Sequence, residues 1–551
     1  MISGTGALTK QGAGTLTLSG VNTYSGLTSV NAGTLNNNNS LAGSVSVADG
    51  AIFNNNASVA GGLSNGGITN LANGTSILGA VTNDGGTINA TGATTVGSLD
   101  NTGGTVSLAN GLTTDVLTIT GATVGGGGNV NLEVDLSDNA GGVSGNADRI
   151  IATGGASGAV TLNLTTVASG GLQTDPTVVA SNGAGTTVSV TGLPTTGAVV
   201  YTLEELGSDL VIQNQVNPAV AGVSGSVNLV QSLIGTVVNR PTSPFVGGLY
   251  SQEGGDCGAG AWSRAVGGTL SADGKTSNGV TSTVNNTDIN YGGIQIGGDW
   301  GCFNGSVNGW DMAVGGFLGL NTGSSTQTVS LPTGVNKTDT DFDQTYAGIY
   351  LSGARGAFTF DLQLRGEDTD YEITDPSLGL NQDETNNKGL TFSGSASYAI
   401  PVNESDLTFI PTIGFGITEN ETDSLVLGSG DLLEFEDFQT RTGFVGATLA
   451  KTRISATGLA ATNLFGTATV YTDFDRSRES FFTSGGGSTQ TLVTEGIGTF
   501  GEVSVGFNHV RILDGTGSTN ARQLSASARL DYRFNSDIDS VGLTAQVRLQ
   551  F

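Results

Sequence analysis

The chain has a single histidine, two cysteines, and 19 lysines and arginines against 47 aspartates and glutamates in 551 residues. Each scarcity excludes a kind of chemistry. A Ser-His-Asp triad needs a histidine base between nucleophile and acid, yet the lone His509 lies near the end of the chain and the first half has none. A histidine-built metal site is excluded for the same reason. Two thiols, Cys257 and Cys302, supply neither a structural zinc site nor a disulfide-dense scaffold. The formal charge of -28 comes with no basic patch, which argues against nucleic acid, because binding phosphates requires clustered Lys and Arg. No run of about 18 apolar residues suggests a transmembrane helix. Gly125 to Gly128 precedes a β-prone run rather than a helix, so a phosphate cradle fails on context. The expectation is no enzyme and no cofactor.

What is present divides near residue 240. Before it the only aromatics are Tyr24, Phe53 and Tyr201, and the only basic residues are Lys10 and Arg149. Gly, Ala, Val, Thr, Ser and Asn fill the rest, as suits many short strands and tight turns. Gly12 to Leu35 contains three short β-prone runs separated by Gly or Asn turns. None is long enough to bury a core alone, whereas stacked coils bury a shared Val, Leu and Ile stripe. The pairs Gly66-Gly67, Gly85-Gly86 and Gly103-Gly104 keep a similar spacing, each followed by Ile68, Ile88 or Val106. Low-complexity sequence with chance spacing is the alternative.

Beyond residue 240 the pattern is period two. Leu543, Ala545, Val547, Leu549 and Phe551 alternate with Thr544, Gln546, Arg548 and Gln550. Leu524 to Phe534 repeats the pattern with Arg529, Asp531 and Arg533 on its polar side. One apolar face and one charged face suit a strand between lipid and a wet lumen. Twelve such segments are predicted near 259-270, 287-300, 310-320, 342-352, 357-370, 388-400, 407-420, 436-450, 461-475, 493-508, 521-534 and 540-551. Short links at Gly301 to Gly309, Gly353 to Gly356 and Val402 to Asp406 alternate with long polar ones at Ser271 to Asn285, Asn321 to Thr340 and Asp375 to Asn387. An even count with alternating loop length is the outer-membrane barrel pattern. Before the barrel, Val227, Val230, Ile234 and Val237 fall at helical spacing within 224-240, ended by Pro241 and Pro244. Such a helix is about 25 Å long, close to the height of a barrel's apolar band. It fits the lumen; a surface helix linking two domains is the alternative.

The run GTLTLSGVNTYSGLTSVNAGTL closely resembles the passenger-associated repeat of autotransporters. Ala147 to Ile151, Gly154 to Gly158 and Ala198 to Leu203 look like a pertactin-like distal passenger, although Asp209 to Ile212 stands where a Trp commonly ends such a segment. Ala261 to Gly268, Tyr291 to Gly297 and the terminal Phe551 resemble an autotransporter translocator domain. The resemblance implies an all-β chain: a right-handed parallel β-helix passenger fragment, a short luminal α-helix, and a 12-stranded antiparallel transmembrane β-barrel. The expected divisions are 1-128 for the repeats, 129-215 for an autochaperone-like distal passenger, 216-254 for the luminal helix and linker, and 255-551 for the barrel.

The implied function is delivery and display of the chain's own passenger at the surface of a Gram-negative cell. The implied partners are outer-membrane lipid and lipopolysaccharide, the barrel-assembly machinery, periplasmic chaperones and a host or surface ligand of the passenger. An adhesin stalk anchored by the barrel and a solute porin are the other readings. Acidic loops either are solvated or hold divalent cations beside lipopolysaccharide. Leu549 and Phe551 are expected to carry the assembly signal, Phe551 serving equally as an interfacial anchor. Asn228 and Asn239 are candidates for passenger self-cleavage or ordinary helix residues. On this topology Cys257 precedes strand one and Cys302 lies in the turn after strand two, so an oxidising periplasm predicts a disulfide, with two free thiols as the alternative. The start, Met1 to Gly6, lacks the charged and apolar regions of a signal peptide, so the chain is expected to be a fragment or to carry a misplaced start.

Overall fold

The computed structural model describes residues 1-137, 146-173, 175-238, 257-278, 282-331, 334-402, 406-475, 477-513 and 522-551. They form two compact units, one on Met1–Val216 and one on Asn217–Phe551 apart from the hairpin tip Ser484–Ser488.

The first unit is a parallel β-helix. Thr15–Leu18 pairs in parallel with Thr34–Asn37, which pairs with Ile52–Asn55, then Ile68–Leu71, Thr87–Ala90 and Thr105–Ser107. A second ladder runs Leu8–Lys10, Thr28–Val30, Val45–Val47, Leu63–Asn65 and Ser76–Asn83. Inward positions stack in register: Leu35, Phe53, Ile88 and Val106 are all buried. Each coil is thus too small to fold alone and becomes stable by burying its stripe against the next.

Asparagines also stack inside. Asn65 Nδ2 donates to Asn83 Oδ1 at 2.8 Å, and Asn83 Nδ2 donates to Asn101 Oδ1 at 2.7 Å. Asn37 donates likewise to Asn55 at 2.8 Å. A glycine of the following coil makes room for Asn65, Asn83 and Asn101: a Cβ on Gly86 would lie 2.5 Å from Asn65 Nδ2, one on Gly104 would lie 2.3 Å from Asn83 Nδ2, and one on Gly128 would lie 2.3 Å from Asn101 Nδ2. At Gly85-Gly86 and Gly103-Gly104 the glycine spacing visible in the sequence therefore marks where a buried amide passes beneath the next coil. The distal end is closed by the antiparallel pair Val199–Leu206 and Asp209–Val216, with Thr177–Ser181 alongside. This covers an otherwise unpaired edge.

The second unit is a closed antiparallel barrel of twelve long strands. They are β1 (Cys257–Ser277), β2 (Ser282–Val307), β3 (Trp310–Leu331), β4 (Gly334–Arg355), β5 (Phe358–Asp375), β6 (Leu380–Tyr398), β7 (Leu407–Thr422), β8 (Phe438–Ile454), β9 (Ala460–Asp473), β10 (Thr499–Ile512), β11 (Gln523–Phe534) and β12 (Ile538–Gln550). Neighbours in sequence pair around the ring, and β12 closes on β1 from Gly260↔Gln550 to Ala272↔Ile538.

Three sequence expectations are corrected. The predicted long loops Ser271 to Asn285, Asn321 to Thr340 and Asp375 to Asn387 are largely strand: β1 reaches Ser277, and β3 and β4 pair as far as Leu331↔Gly334. The amphipathic alternation ends where lipid contact ends, but Thr, Ser, Asn and Gln continue the hydrogen-bonded ladder beyond it. Cys302 lies within β2, not in a turn; the link is only Asn308-Gly309, both at positive φ, as a tight hairpin requires. The predicted strand 493-508 is divided between the short strand Thr489–Glu495 and β10.

The barrel wall is uneven in height. At about 3.4 Å per residue the 26 residues of β2 far exceed a membrane-spanning strand of about 9 to 11 residues, whereas the 13 residues of β12 barely do. Above the shorter side, Leu432–Phe435 pairs with Ser477–Thr483, which pairs with Thr489–Glu495. The last of these joins β1 at Thr276↔Thr494 and Ser277↔Val493. A collar therefore continues the barrel beyond the membrane, and its Leu433, Phe482 and Leu492 are buried.

Candidate functional site

The site is the lumen of the barrel and the helix inside it. Outside, Ile296, Val314, Leu318, Ile349, Ile413, Val505, Leu543 and Val547 are exposed around the ring. An apolar surface this extensive belongs in lipid. Exposed aromatics flank it, with Trp300, Phe358, Tyr398, Phe409 and Phe551 toward the end holding both barrel termini and Phe474, Tyr532 and Phe534 toward the other. The alternate residues point inward and are polar, including Arg264, Gln295, Asp299, Arg365, Glu502, Arg533 and Arg548, all buried.

These charges are paired. Glu502 accepts from Arg529 at 2.6 Å and Arg533 at 2.8 Å, and Arg365 meets Glu367 at 2.5 Å. Arg264 Nε donates to Gln546 at 3.0 Å. Aromatics lie flat over glycines of neighbouring strands: a Cβ on Gly319 would fall 2.1 Å from the Tyr346 ring.

Helix α1 spans Pro218–Val238 and so begins six residues before the predicted start at 224. Its N-terminus is set by Asn217, whose Oδ1 accepts the Ala219 N–H at 3.0 Å, and by Pro218 in the first turn, where no N–H is needed. The surface-helix alternative does not hold, since every residue from Ala219 to Asn228, and Val230, is buried. The helix packs against β1 to β4 and the three paired collar strands. Ser224 Oγ lies 2.8 Å from Ser480 Oγ, and Ser226 Oγ lies 3.0 Å from Ser325 Oγ. Gly222 and Gly225 allow this approach; a Cβ on Gly225 would lie 2.5 Å from Asn285 Nδ2. No helix among the described residues is long and apolar enough to cross a membrane, which says nothing of the strands.

The other sequence candidates fall as follows. Cys257 and Cys302 face each other at the start of the β1–β2 ladder and are joined by a disulfide. Asn228 is buried on α1, and Asn239 lies outside the described residues. Leu549 is half-buried on β12; the Phe551 N–H donates to Ala259 O at 2.8 Å while its ring is exposed on the outer wall. His509 sits on β10 with Nδ1 2.9 Å from Thr462 Oγ1, far in sequence from any passenger nucleophile. Among the described residues no group of three His, Cys, Asp or Glu is placed to hold a metal ion.

Sequence reasoning missed a buried acidic group in the distal β-helix. Asp148 accepts the backbone N–H groups of Glu133 at 2.8 Å and Asp115 at 3.1 Å. Burial outweighs those donors, the Asp115 and Glu133 charges add to it, and the carboxyl is pushed up to about 7. Nearby, Tyr201 O–H donates to Leu136 O at 3.1 Å from a buried position. No spacing in the sequence marks either contact, because their partners come from different coils.

Comparison with known proteins agrees with this geometry. Residues 8–36 match the passenger-associated-transport-repeat and residues 261–512 match the autotransporter beta-domain. No curated protein sequence matches the chain. Among solved structures, the transport unit of the autotransporter AIDA-I from Escherichia coli shares 15% identity, with 61% of this chain and 99% of that chain covered and a TM-score of 0.45. The translocator domain of autotransporter NalP from Neisseria meningitidis shares 15% identity over 61% of this chain and 97% of that chain, with a TM-score of 0.34. The repeat, the closed twelve-strand barrel and its lipid-facing wall lead to one conclusion: the chain belongs to the autotransporter family, as a translocator of the Gram-negative outer membrane that delivers its own β-helical passenger.

Proposed function

We propose that delivery is mechanical and needs no enzymatic step in either unit. The observation that carries this is covalent continuity: the last β-helix strand ends at Val216, Asn217 caps the helix, and α1 is already buried in the barrel from its first turn. The passenger passes outward as a hairpin, and stepwise stacking of coils outside biases the motion in one direction, since each added coil buries another rung of the apolar stripe and of the asparagine ladder. Helix α1 then fills the exit. In this reading 1-128 are passenger repeats, 129-215 assist their folding, 216-254 form the luminal segment and 255-551 form the translocator.

Leu549 and Phe551 present the assembly signal to the barrel-assembly machinery, and periplasmic chaperones hold the chain before insertion. The half-exposed Phe551 ring beside an ordered terminal strand supports that role. The passenger's partner is a host or surface ligand, with lipopolysaccharide around the barrel. Asn228 acts as a helix residue rather than a cleavage site, buried within the unbroken helix α1. Deleting Leu549-Gln550-Phe551 from the full chain tests the reading. Folded barrel in outer-membrane fractions and passenger on the cell surface are both expected to fall together, and unchanged surface display would sink it.

A further inference from the structure

The seam between the first and last strands carries a buried polar chain that crosses neighbouring strands. Arg548 on β12 stands opposite Trp262 of β1 in the ladder. Its guanidinium reaches over β1 to Asp299 on β2, with 2.5 Å to both carboxylate oxygens. Asp299 in turn accepts the Tyr350 O–H from β4, and Tyr350 accepts the Trp262 indole N–H at 3.0 Å. Gln550 adds a bond to Gly258 O at 3.1 Å, on the same edge. All four members of the chain are at least nine-tenths buried.

Glycines open each crossing. Asp299 stands opposite Gly260, and a Cβ there would lie 2.6 Å from Asp299 Oδ1, 2.6 Å from Gln550 Oε1 and 2.7 Å from the Arg548 guanidinium. A Cβ on Gly315 of β3 would lie 2.6 Å from the Tyr350 ring and 2.7 Å from Asp299 Cβ. A Cβ on Gly297 would lie 2.4 Å from the Trp262 ring. Three gaps on three strands thus serve one set of bonds, which ties β12 to β1, β2 and β4 across β3.

We propose that Arg548 is a closure latch: it recognises Asp299 through the Gly260 gap, and the bond forms only when β12 lies against β1, so it commits the ring to its closed state. The backbone ladder at the seam is indifferent to a slip of two residues, which would keep the apolar face outward. The Arg548–Asp299 bond is not, because a two-residue slip moves the guanidinium away from the Gly260 gap and leaves a buried carboxylate without its cation. Arg548 is therefore a positioning residue for closure and register, independent of what the barrel carries.

The test uses the full chain in outer-membrane fractions and cysteine pairs on the outer wall. Ala265→Cys with Ala545→Cys reports the β1–β12 seam, and Ala468→Cys with Val503→Cys reports the β9–β10 ladder elsewhere in the ring. Arg548→Gln and Gly260→Ala are expected to lower seam cross-linking several-fold while leaving the β9–β10 pair unchanged. Arg529→Gln, which breaks a luminal charge pair between β10 and β11 rather than across the β1–β12 seam, is expected to spare both. The charge swap Asp299→Arg with Arg548→Asp is expected to recover inserted, seam-closed barrel over either single change, including where a single change inserts none. Seam cross-linking at wild-type level in both Arg548→Gln and Gly260→Ala, or a swap no better than the single changes, would overturn the latch.

Discussion

In the β-helix each strand finds its partners one coil before and one coil after, so Ile52–Asn55 lies between Thr34–Asn37 and Ile68–Leu71. In the barrel wall, β1 finds one partner next in sequence and the other at the far end of the chain, the collar strand meeting only its tip. Both arrangements remove unpaired edges, but with different consequences. A stack of coils is held by nearest-neighbour terms, so damage stays local and folding can spread from any rung. A ring has one closing seam, so damage there opens the whole wall. This difference suits the mechanism proposed above, in which a closed barrel carries the passenger and the passenger folds piece by piece outside.

Four changes sharpen the comparison, in descending order of expected effect. Gly225→Leu places a side chain where a Cβ already meets Asn285 at 2.5 Å. The helix is then expected to unseat and single-channel recordings to change from nearly closed to conducting, with the β-helix untouched. Conductance equal to wild type would place the seal elsewhere. Replacing Cys257 and Cys302 together by Ser frees a 45-residue separation in the unfolded chain. Chain-entropy arguments put the loss at about 2 to 4 kcal/mol, to be read as a lower denaturant midpoint for the barrel alone.

Asn83→Ala breaks two rungs of the internal ladder and leaves Asn65 and Asn101 each short of a bond. A cost of about 1 to 3 kcal/mol is expected, visible as protease nicking confined to neighbouring coils. Cleavage spread over the entire β-helix would contradict the nearest-neighbour picture. The smallest effect concerns pH. Asp148 holds its proton more tightly folded than unfolded, since its carboxyl is pushed up to about 7 from the ordinary 3.8. Its contribution is therefore fully present below pH 3.8, declines as the pH rises toward 7, and is gone above it. The total is on the order of 1 to 2 kcal/mol, after allowing for screening. Asp148→Asn is expected to flatten the fall in β-helix stability between about pH 4 and 7, the window in which the unfolded carboxyl has lost its proton and the native one still holds it.

Much of this was legible in the sequence. Period-two alternation located all twelve strands, because lipid on one side and charge on the other leave a one-dimensional trace. It misjudged their ends, since beyond the membrane the outer face is no longer apolar while the ladder continues through residues such as Thr326 and Thr340. The helix start was missed because Val220 and Val223 belong to the same buried face but are preceded by Asn217-Pro218, a cap readable only once strand Asp209–Val216 is known to end there. The asparagine ladder was readable in principle, Asn65, Asn83 and Asn101 being evenly spaced. The Arg548–Asp299 latch was not, because its partners meet only through ring closure and a missing Cβ on a third strand.

The most direct test of the account combines two readings on intact cells. An epitope inserted beside the exposed Leu112 reports the passenger, and Ser226→Cys with Ser325→Cys reports the seated helix. The account predicts that the epitope is labelled from outside and that the same molecules carry the helix-to-wall cross-link. A folded barrel with its epitope shielded inside the cell, or a surface epitope on molecules that never form the cross-link, would contradict it.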